Sequence, residues 1–263
     1  MKTILITGAG SGIGAATAKL LSEQNDTRLL LVGRNTTKLT SVLEGLNNPE
    51  THTIASLDIS NSSALDSFLS SNEANLQDHP LVAVCANAGI GGPNIYNAAD
   101  GPQDRWNDII DTNLSGTYYT CMTSIPWLLK AKQQGFETRH IAITSSIVSR
   151  FGVASQAAYV ASKTGLLGLV RSLAMKHSKD GLLINAINPG WVNTEMARDR
   201  IKEMATEEGV SYESMLETQK NIVPTGRIIE PEEIAALIQF LFSNVQLSIT
   251  GQAIDINGGA WMG

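Results

Sequence analysis

The first fourteen residues constrain this chain more than any other stretch. Thr3–Thr7 reads as a strand buried on both faces, and Gly8, Gly10, Gly12 and Gly14 follow at once, before a helical pattern over Ile13–Gln24. A chain that turns this sharply from strand to helix offers the free N–H groups and positive dipole end of the helix above the sheet edge. Such an end binds phosphate. The spacing is Thr7-Gly8-x-x-x-Gly12-x-Gly14, which differs from the Gly-x-Gly-x-x-Gly of the commonest dinucleotide fingerprint.

Strands and helices then alternate. Strands are predicted at Arg28–Val32, Thr53–Leu57, Leu81–Ala86, Ile141–Thr144, Leu182–Ala186 and Gln252–Ile256. Helices are predicted at Thr36–Leu46, Ser62–Leu76, Asp104–Thr112, Leu114–Lys132 and Gln156–His177, with another opening at Glu230-Pro231-Glu232-Glu233. Right-handed crossovers fold this order into an α/β architecture, a single doubly wound parallel sheet of Rossmann type with helices on both faces. With no linker in sight, residues 1–263 read as one domain. Glu195–Gln219 adds two short, charged, methionine-bearing helices that a minimal sheet does not need, so a small helical substrate lid is expected over about residues 191–222.

The ends of these strands collect polar and small residues. The second runs into Gly33-Arg34, where an NAD site would usually carry a carboxylate for the ribose hydroxyls. Arg34 would instead hold a 2'-phosphate, which favours NADP over NAD, unless it is only a solvated loop charge. Ser11 adds a hydroxyl in the glycine loop but no second positive charge. Asp58 either accepts from an adenine amine or caps a local turn. Asn87-Ala88-Gly89 lets a flat ligand approach the backbone, and the glycine-rich loop Ile90–Gly101 lies on the same edge. Asn113, at the start of a largely apolar helix, either caps it or needs buried partners. Gly165 and Gly168 lower the propensity of the Gln156–His177 helix but let another helix approach.

That same helix carries Tyr159 and Lys163, four residues apart and so on one face. An ammonium beside a phenol favours the phenolate, and Tyr159 is therefore expected to titrate below its ordinary range and to serve as a general acid or base.

Composition removes several classes. A net charge of -6 argues against nucleic acid as a partner. No apolar run is long enough to span a bilayer, and MKTILITG lacks the apolar region of a secretory signal. Two cysteines, Cys85 and Cys121, both expected to be packing residues, suit a reducing compartment, so a cytoplasmic location is expected. His52, His79, His140 and His177 are scattered at element ends, are expected at the surface, and form no metal cluster with Cys or acids.

TGAGSGIG at Thr7–Gly14, NAG at Asn87–Gly89, Asn113, Ser146, YVASK at Tyr159–Lys163 and NPGWVNT at Asn188–Thr194 together resemble the classical short-chain dehydrogenase/reductase family over essentially the whole chain. The resemblance implies a catalytic tetrad of Asn113, Ser146, Tyr159 and Lys163. Ser146 is preferred to Ser145 because the family spacing to the tyrosine is the difference between 159 and 146. It implies nicotinamide-cofactor contacts at Gly8, Ser11, Gly12, Ile13 and Gly14, then at Arg34, Asp58 and Ile59. Further contacts fall at Asn87, Ala88 and Gly89, at Tyr159 and Lys163, and at Pro189, Gly190, Val192 and Thr194. In this scheme Lys163 holds the ribose, Asn113 anchors a proton-relaying water, and Thr194 and the backbone after Pro189 hold the carboxamide.

The expected activity is hydride transfer between NADP(H), with NAD possible, and a ketone, aldehyde or secondary alcohol. A free small molecule is favoured, with Trp191, Met196 and Ile201 as apolar wall. Alternatives are an NAD-linked secondary alcohol dehydrogenase and a 3-oxoacyl-(acyl-carrier-protein) reductase; for the latter, Arg171, Lys176 and Lys179 form only a thin basic rim for an acidic carrier. A non-catalytic module sensing cofactor ratio would have no use for four intact proton-transfer residues. Similar proteins are commonly tetramers, so a homo-oligomer, tetramer or dimer, is expected.

Overall fold

In the computed structural model the described residues are 1–92 and 104–263, so most of the Ile90–Gly101 loop lies outside them. The first half runs β1 (Lys2–Thr7), α1 (Gly12–Ser22), β2 (Thr27–Gly33), α2 (Thr36–Glu44), β3 (Thr53–Ser56), α3 (Ser62–Ser71), α4 (Glu73–Asp78) and β4 (Leu81–Ala86). After the gap in description come α5 (Trp106–Ile110), α6 (Gly116–Lys132), β5 (Arg139–Thr144), α7 (Ala157–His177) and β6 (Leu182–Pro189). The chain finishes with α8 (Glu195–Glu208), α9 (Tyr212–Ile222), α10 (Pro231–Leu241) and β7 (Ala253–Ile256).

Among the described residues the sheet has seven strands in the order β3-β2-β1-β4-β5-β6-β7. All pairings are parallel, from Lys2 against Thr27 in β1 and β2 to Pro189 against Ile256 in β6 and β7. Apolar side chains go both ways along each central strand. Leu5, Leu30, Val84 and Ile141 join one core with Leu65, Cys121, Leu128 and Leu166, whereas Ile4, Ile6, Leu29 and Leu31 join a second with Leu21, Leu39, Ile234 and Ile238. Period-two alternation between two buried faces is why these strands read as continuous apolar runs. The order reverses between β1 and β4, so their C-terminal ends flank a crevice, where ligands bind in open α/β sheets.

The structure departs from the sequence expectations at four places. The helix foreseen over Ser62–Leu76 is two, broken at Asn72, whose Nδ2 donates to the Phe68 carbonyl and takes its place in the ladder. Asn113 does not open a helix. It lies in a π-helical turn, Asp111–Ser115, that joins α5 to α6 without interruption. β6 runs on to Pro189, so the Asn188-Pro189 step ends a strand.

The fourth departure concerns the histidines: His52, His140 and His177 are buried, and only His79 is partly exposed. His140 sits within β5, where burial brings its pKa down to about 4. Cys85 and Cys121 are fully buried core residues whose thiols burial pushes up to about 12.

Gly165 and Gly168 do different jobs. A methyl at Gly165 would stand 3.1 Å from Leu114, so that glycine admits the neighbouring helix of the same chain, while nothing lies near Gly168. Ile201 is not cleft wall: it packs with Ala205 and Met215 in a small core shared by α8 and α9, with Trp191 against it. No described helix is long and apolar enough to cross a membrane.

Candidate active site

The glycine turn is built as tightly as its sequence demands. Gly8 has φ +67°, in the left-handed region, and a methyl there would come within 2.8 Å of the Ala88 Cα. A methyl at Gly14 would stand 2.2 Å from the Gly8 carbonyl oxygen. Ser11 precedes α1 in extended conformation without using its side chain as a cap, and the first turn carries no acid. The helix end therefore faces the crevice uncovered by its own side chains, as a diphosphate requires.

Asn87 braces this loop: its backbone N–H donates to Thr7 Oγ1 at 3.1 Å and its Nδ2 to the Thr7 carbonyl at 3.2 Å. Its amide is thus turned to the protein, and the flat approach to a ligand falls to Ala88 and Gly89.

A cavity of about 630 Å³ runs from Gly8 and Ser11 past Tyr159 to Trp191. Of the expected contacts, Gly8, Ser11, Gly12, Ile13, Arg34 and Asn87 to Gly89 line its first part. Ser146, Tyr159, Lys163, Pro189, Gly190, Val192 and Thr194 line the rest. The two walls approach closely, since a methyl at Gly12 would stand 2.9 Å from Thr194 Cγ2. Asp58 and Ile59 line a second, smaller cavity of about 230 Å³ that shares Gly8, Ser11 and Arg34 with the first. Gly14 and Asn113 line neither and act from behind.

Asp58 does cap a turn, its Oδ1 accepting from the Ser60 backbone N–H at 2.9 Å and from the Ser60 hydroxyl at 2.8 Å. The other oxygen, Oδ2, is 4.0 Å from Arg34.

Four side chains converge where β5 ends and α7 begins. The Ser146 hydroxyl is near enough to that of Tyr159 to favour its phenolate, and both residues line the cavity. Ser145, one residue earlier, turns the other way and donates to the Lys163 carbonyl at 2.9 Å. Lys163, 4% exposed, donates from Nζ to the Thr144 carbonyl at 2.8 Å and lies 5.7 Å from the centre of the Tyr159 ring. Asn113, fully buried, accepts from the Ile90 N–H at 2.8 Å and donates from Nδ2 to the Ile90 carbonyl at 2.9 Å and to Ser162 Oγ at 3.2 Å. It is no cap, and both amide hydrogens are committed to protein. Ser162 donates in turn to the Tyr159 carbonyl.

The electrostatics correct one expectation. Burial raises the Tyr159 pKa and the Ser146 hydrogen bond only partly opposes it, so the phenol is not made acidic by Lys163 here. Burial instead brings Lys163 down to about 8. Desolvation, which acts against whichever form is charged, outweighs the attraction that the four-residue spacing suggested.

A model of the family described as enoyl-(acyl carrier protein) reductase matches residues 8–260. A 3-oxoacyl-(acyl-carrier-protein) reductase of Rickettsia prowazekii is 33% identical over 261 residues, 99% of this chain and 97% of the relative. The chain is a short-chain dehydrogenase/reductase. As such it is an oxidoreductase. An acetoacetyl-CoA reductase of Synechocystis is 32% identical, covering 98% of this chain and 95% of the relative. Among solved structures, a variant of actinorhodin polyketide ketoreductase with NADPH superposes with a TM-score of 0.88 at 26% identity, over 98% of this chain and 97% of the other. Levodione reductase does so at 0.86 and 25%, over 98% and 96%.

Sequence reasoning missed several residues that the geometry brings into this short-chain dehydrogenase/reductase site. Phe151 and Gln156 line the cavity from the loop between β5 and α7. Lys38, in the first turn of α2, lines the smaller cavity beside Arg34. Its signal was its place, four residues after Arg34 in a helix that starts at the crevice. The basic residues Arg171, Lys176 and Lys179 are exposed, but the first two belong to the far half of α7 and Lys179 to the turn just beyond it, Arg171 being roughly 18 Å along the helix from Tyr159.

Proposed function

We propose that the chain is an NADP-preferring reductase of the carbonyl of a small ketone or aldehyde, using Ser146, Tyr159, Lys163 and Asn113. The observation that carries this reading is the neighbouring pair of hydroxyls, Ser146 and Tyr159, on the wall of a cavity that continues over the glycine turn. A nicotinamide cofactor bound here would supply the hydride chemistry at the carbonyl carbon, in either direction. Gly8, Gly12 and the first turn of α1 would hold its diphosphate, Arg34 its 2'-phosphate, and Thr194 with the backbone after Pro189 its carboxamide.

Both hydroxyls donate to the carbonyl oxygen, where negative charge grows as the carbon is reduced. Burial keeps Tyr159 protonated, the state an acid needs, and it passes its proton to that oxygen to complete the alcohol. The Ser146 hydroxyl then stabilises the phenolate left behind. Lys163, brought into the neutral range, restores the proton. Asn113 fixes the Ile90 backbone and, through Ser162, the start of α7.

Phe151, Val153, Trp191 and Met196 give the cavity an apolar stretch beside Asp199 and Arg200, and Arg171, Lys176 and Lys179 do not line it, which favours a free carbonyl over an acidic carrier. The second reading, a 3-oxoacyl thioester, is supported by the names of the relatives. Cofactor oxidation with simple ketones and with acetoacetyl-CoA separates the two readings. The Tyr159→Phe variant should lose about a thousandfold in kcat on the better substrate. Full turnover by that variant would remove the tyrosine mechanism, and no turnover by the wild type on any carbonyl would remove the reductase.

A further inference from the structure

Across the crevice, Lys38 of α2 and Glu195, the first residue of the lid helix α8, form an ion pair with Nζ 2.5 Å from Oε2. They are 157 residues apart in sequence. The pair sits against the glycine loop: a methyl on Gly10 would be 3.2 Å from Lys38 Cβ. Lys38 shares the smaller cavity with Ser11, Arg34, Asn35 and Asp58, and Glu195 lines the larger one together with Arg34.

Two cations thus border one small polar cavity, and each is occupied by a carboxylate from another element: Arg34 by Asp58 at 4.0 Å and Lys38 by Glu195. All four side chains are substantially exposed. Exposed pairs of this kind contribute little, so a ligand with a denser negative charge displaces the carboxylates readily. A phosphate monoester carries close to two charges and several strong acceptor oxygens, and it outcompetes a single carboxylate for an ammonium.

Resting on the NADP reading above, we propose that Lys38 is a second cation for the 2'-phosphate of the cofactor, and that Glu195 occupies it until that phosphate binds. The competition gives the lid a cofactor-dependent tether. With the phosphate on Lys38, Glu195 is released and the first turn of α8 loses its link to α2. A cofactor without a 2'-phosphate leaves the link in place.

Calorimetric dissociation constants for NADPH, NADH and 2'-AMP test this in the full chain, for the wild type, Lys38→Gln, Glu195→Gln and the double variant. Lys38→Gln should weaken NADPH and 2'-AMP about tenfold and leave NADH within about twofold. Glu195→Gln should tighten NADPH and 2'-AMP about threefold, because the competitor is gone. In the double variant that gain should vanish. A gain that persists without Lys38 means that Glu195 merely repels phosphate, and the competition is overturned. Looser binding of both dinucleotides to Glu195→Gln means that the pair is a clasp over the crevice, and overturns it equally. Equal losses of NADPH and NADH in Lys38→Gln remove Lys38 from the phosphate subsite. If the wild type itself binds NADPH no better than NADH, the NADP reading has failed; if it discriminates but Lys38→Gln changes nothing, only the present inference has.

Discussion

Lys163 Nζ donates a 2.8 Å hydrogen bond to the Thr144 carbonyl, tying α7 to the last residue of β5. The lysine is buried, and burial brings its pKa from 10.5 to about 8. Between these values the unfolded chain still holds the proton that the folded chain has given up, so folding stability rises with pH. Below about 8 the lysine is charged in both states and its burial cost is present in full. Chemical denaturation of the wild type and Lys163→Met from pH 7 to 11 checks this. Their stability difference should shift in favour of the wild type by a few kcal/mol, about 1.4 kcal/mol per unit of pKa displacement. A difference that stays flat with pH would mean that the lysine is not desolvated.

Ser145 and Ser146 are adjacent, yet one hydroxyl donates to the Lys163 carbonyl and the other lies beside the Tyr159 phenol in the cavity. Removing them should therefore produce different kinds of loss. Ser146→Ala is expected to lower kcat about a hundredfold with little change in melting temperature. Ser145→Ala should cost about 1 kcal/mol of stability and far less rate. Steady-state kinetics and thermal unfolding on the same two preparations decide the matter, and reversed results would make Ser145 the reacting hydroxyl.

Asn113 spends its amide on both backbone groups of Ile90 and on Ser162. Asn113→Leu leaves the half-buried Ile90 N–H and carbonyl without their partner, at a cost of about 1–3 kcal/mol. Asn113→Asp keeps the acceptor but loses the donors. Both variants should melt earlier and bind cofactor more weakly. Thermal unfolding with and without NADPH reads both effects, and an unchanged melting temperature in Asn113→Leu would show that the Ile90 bonds contribute nothing.

The sheet was legible because its signal is repeated: the central strands β1, β2, β4, β5 and β6 carry apolar side chains to two buried faces, and no register slip can hide that. Asn113, Ser146, Tyr159 and Lys163 could be named together because their spacing is a matter of sequence, and folding brings them to one end of the cavity, Asn113 from behind. What the sequence withheld was three-dimensional. Four residues between Tyr159 and Lys163 put them on one face but say nothing of solvent, and desolvation sets the direction of both pKa shifts. Asn113 looked like a cap because its partner, the backbone of Ile90, is 23 residues away and has no side-chain signature. Three histidines looked exposed because element ends usually are, whereas His52 reaches back to the Leu29 N–H and the Asn47 carbonyl. The place of Lys38, four residues after Arg34, was a signal in the sequence, but its pairing with Glu195 was not, since only folding brings the two together.

Arg34 and Asp58 stand 4.0 Å apart at the end of the crevice where β2 and β3 finish. Asp58 is held by Ser60 through its other oxygen and stays where it is when Arg34 changes. Arg34→Asp therefore sets two carboxylates side by side in the cavity that also holds Ser11 and Lys38. A 2'-phosphate would lose an attractive charge and meet two repulsive ones, whereas the paired ribose hydroxyls of NADH would gain an acceptor. The ratio of kcat/KM for NADPH over NADH should fall by about two orders of magnitude, with most of the change in KM. An unaltered ratio would show that Arg34 is a solvated loop charge and that discrimination, if any, lies elsewhere in the crevice.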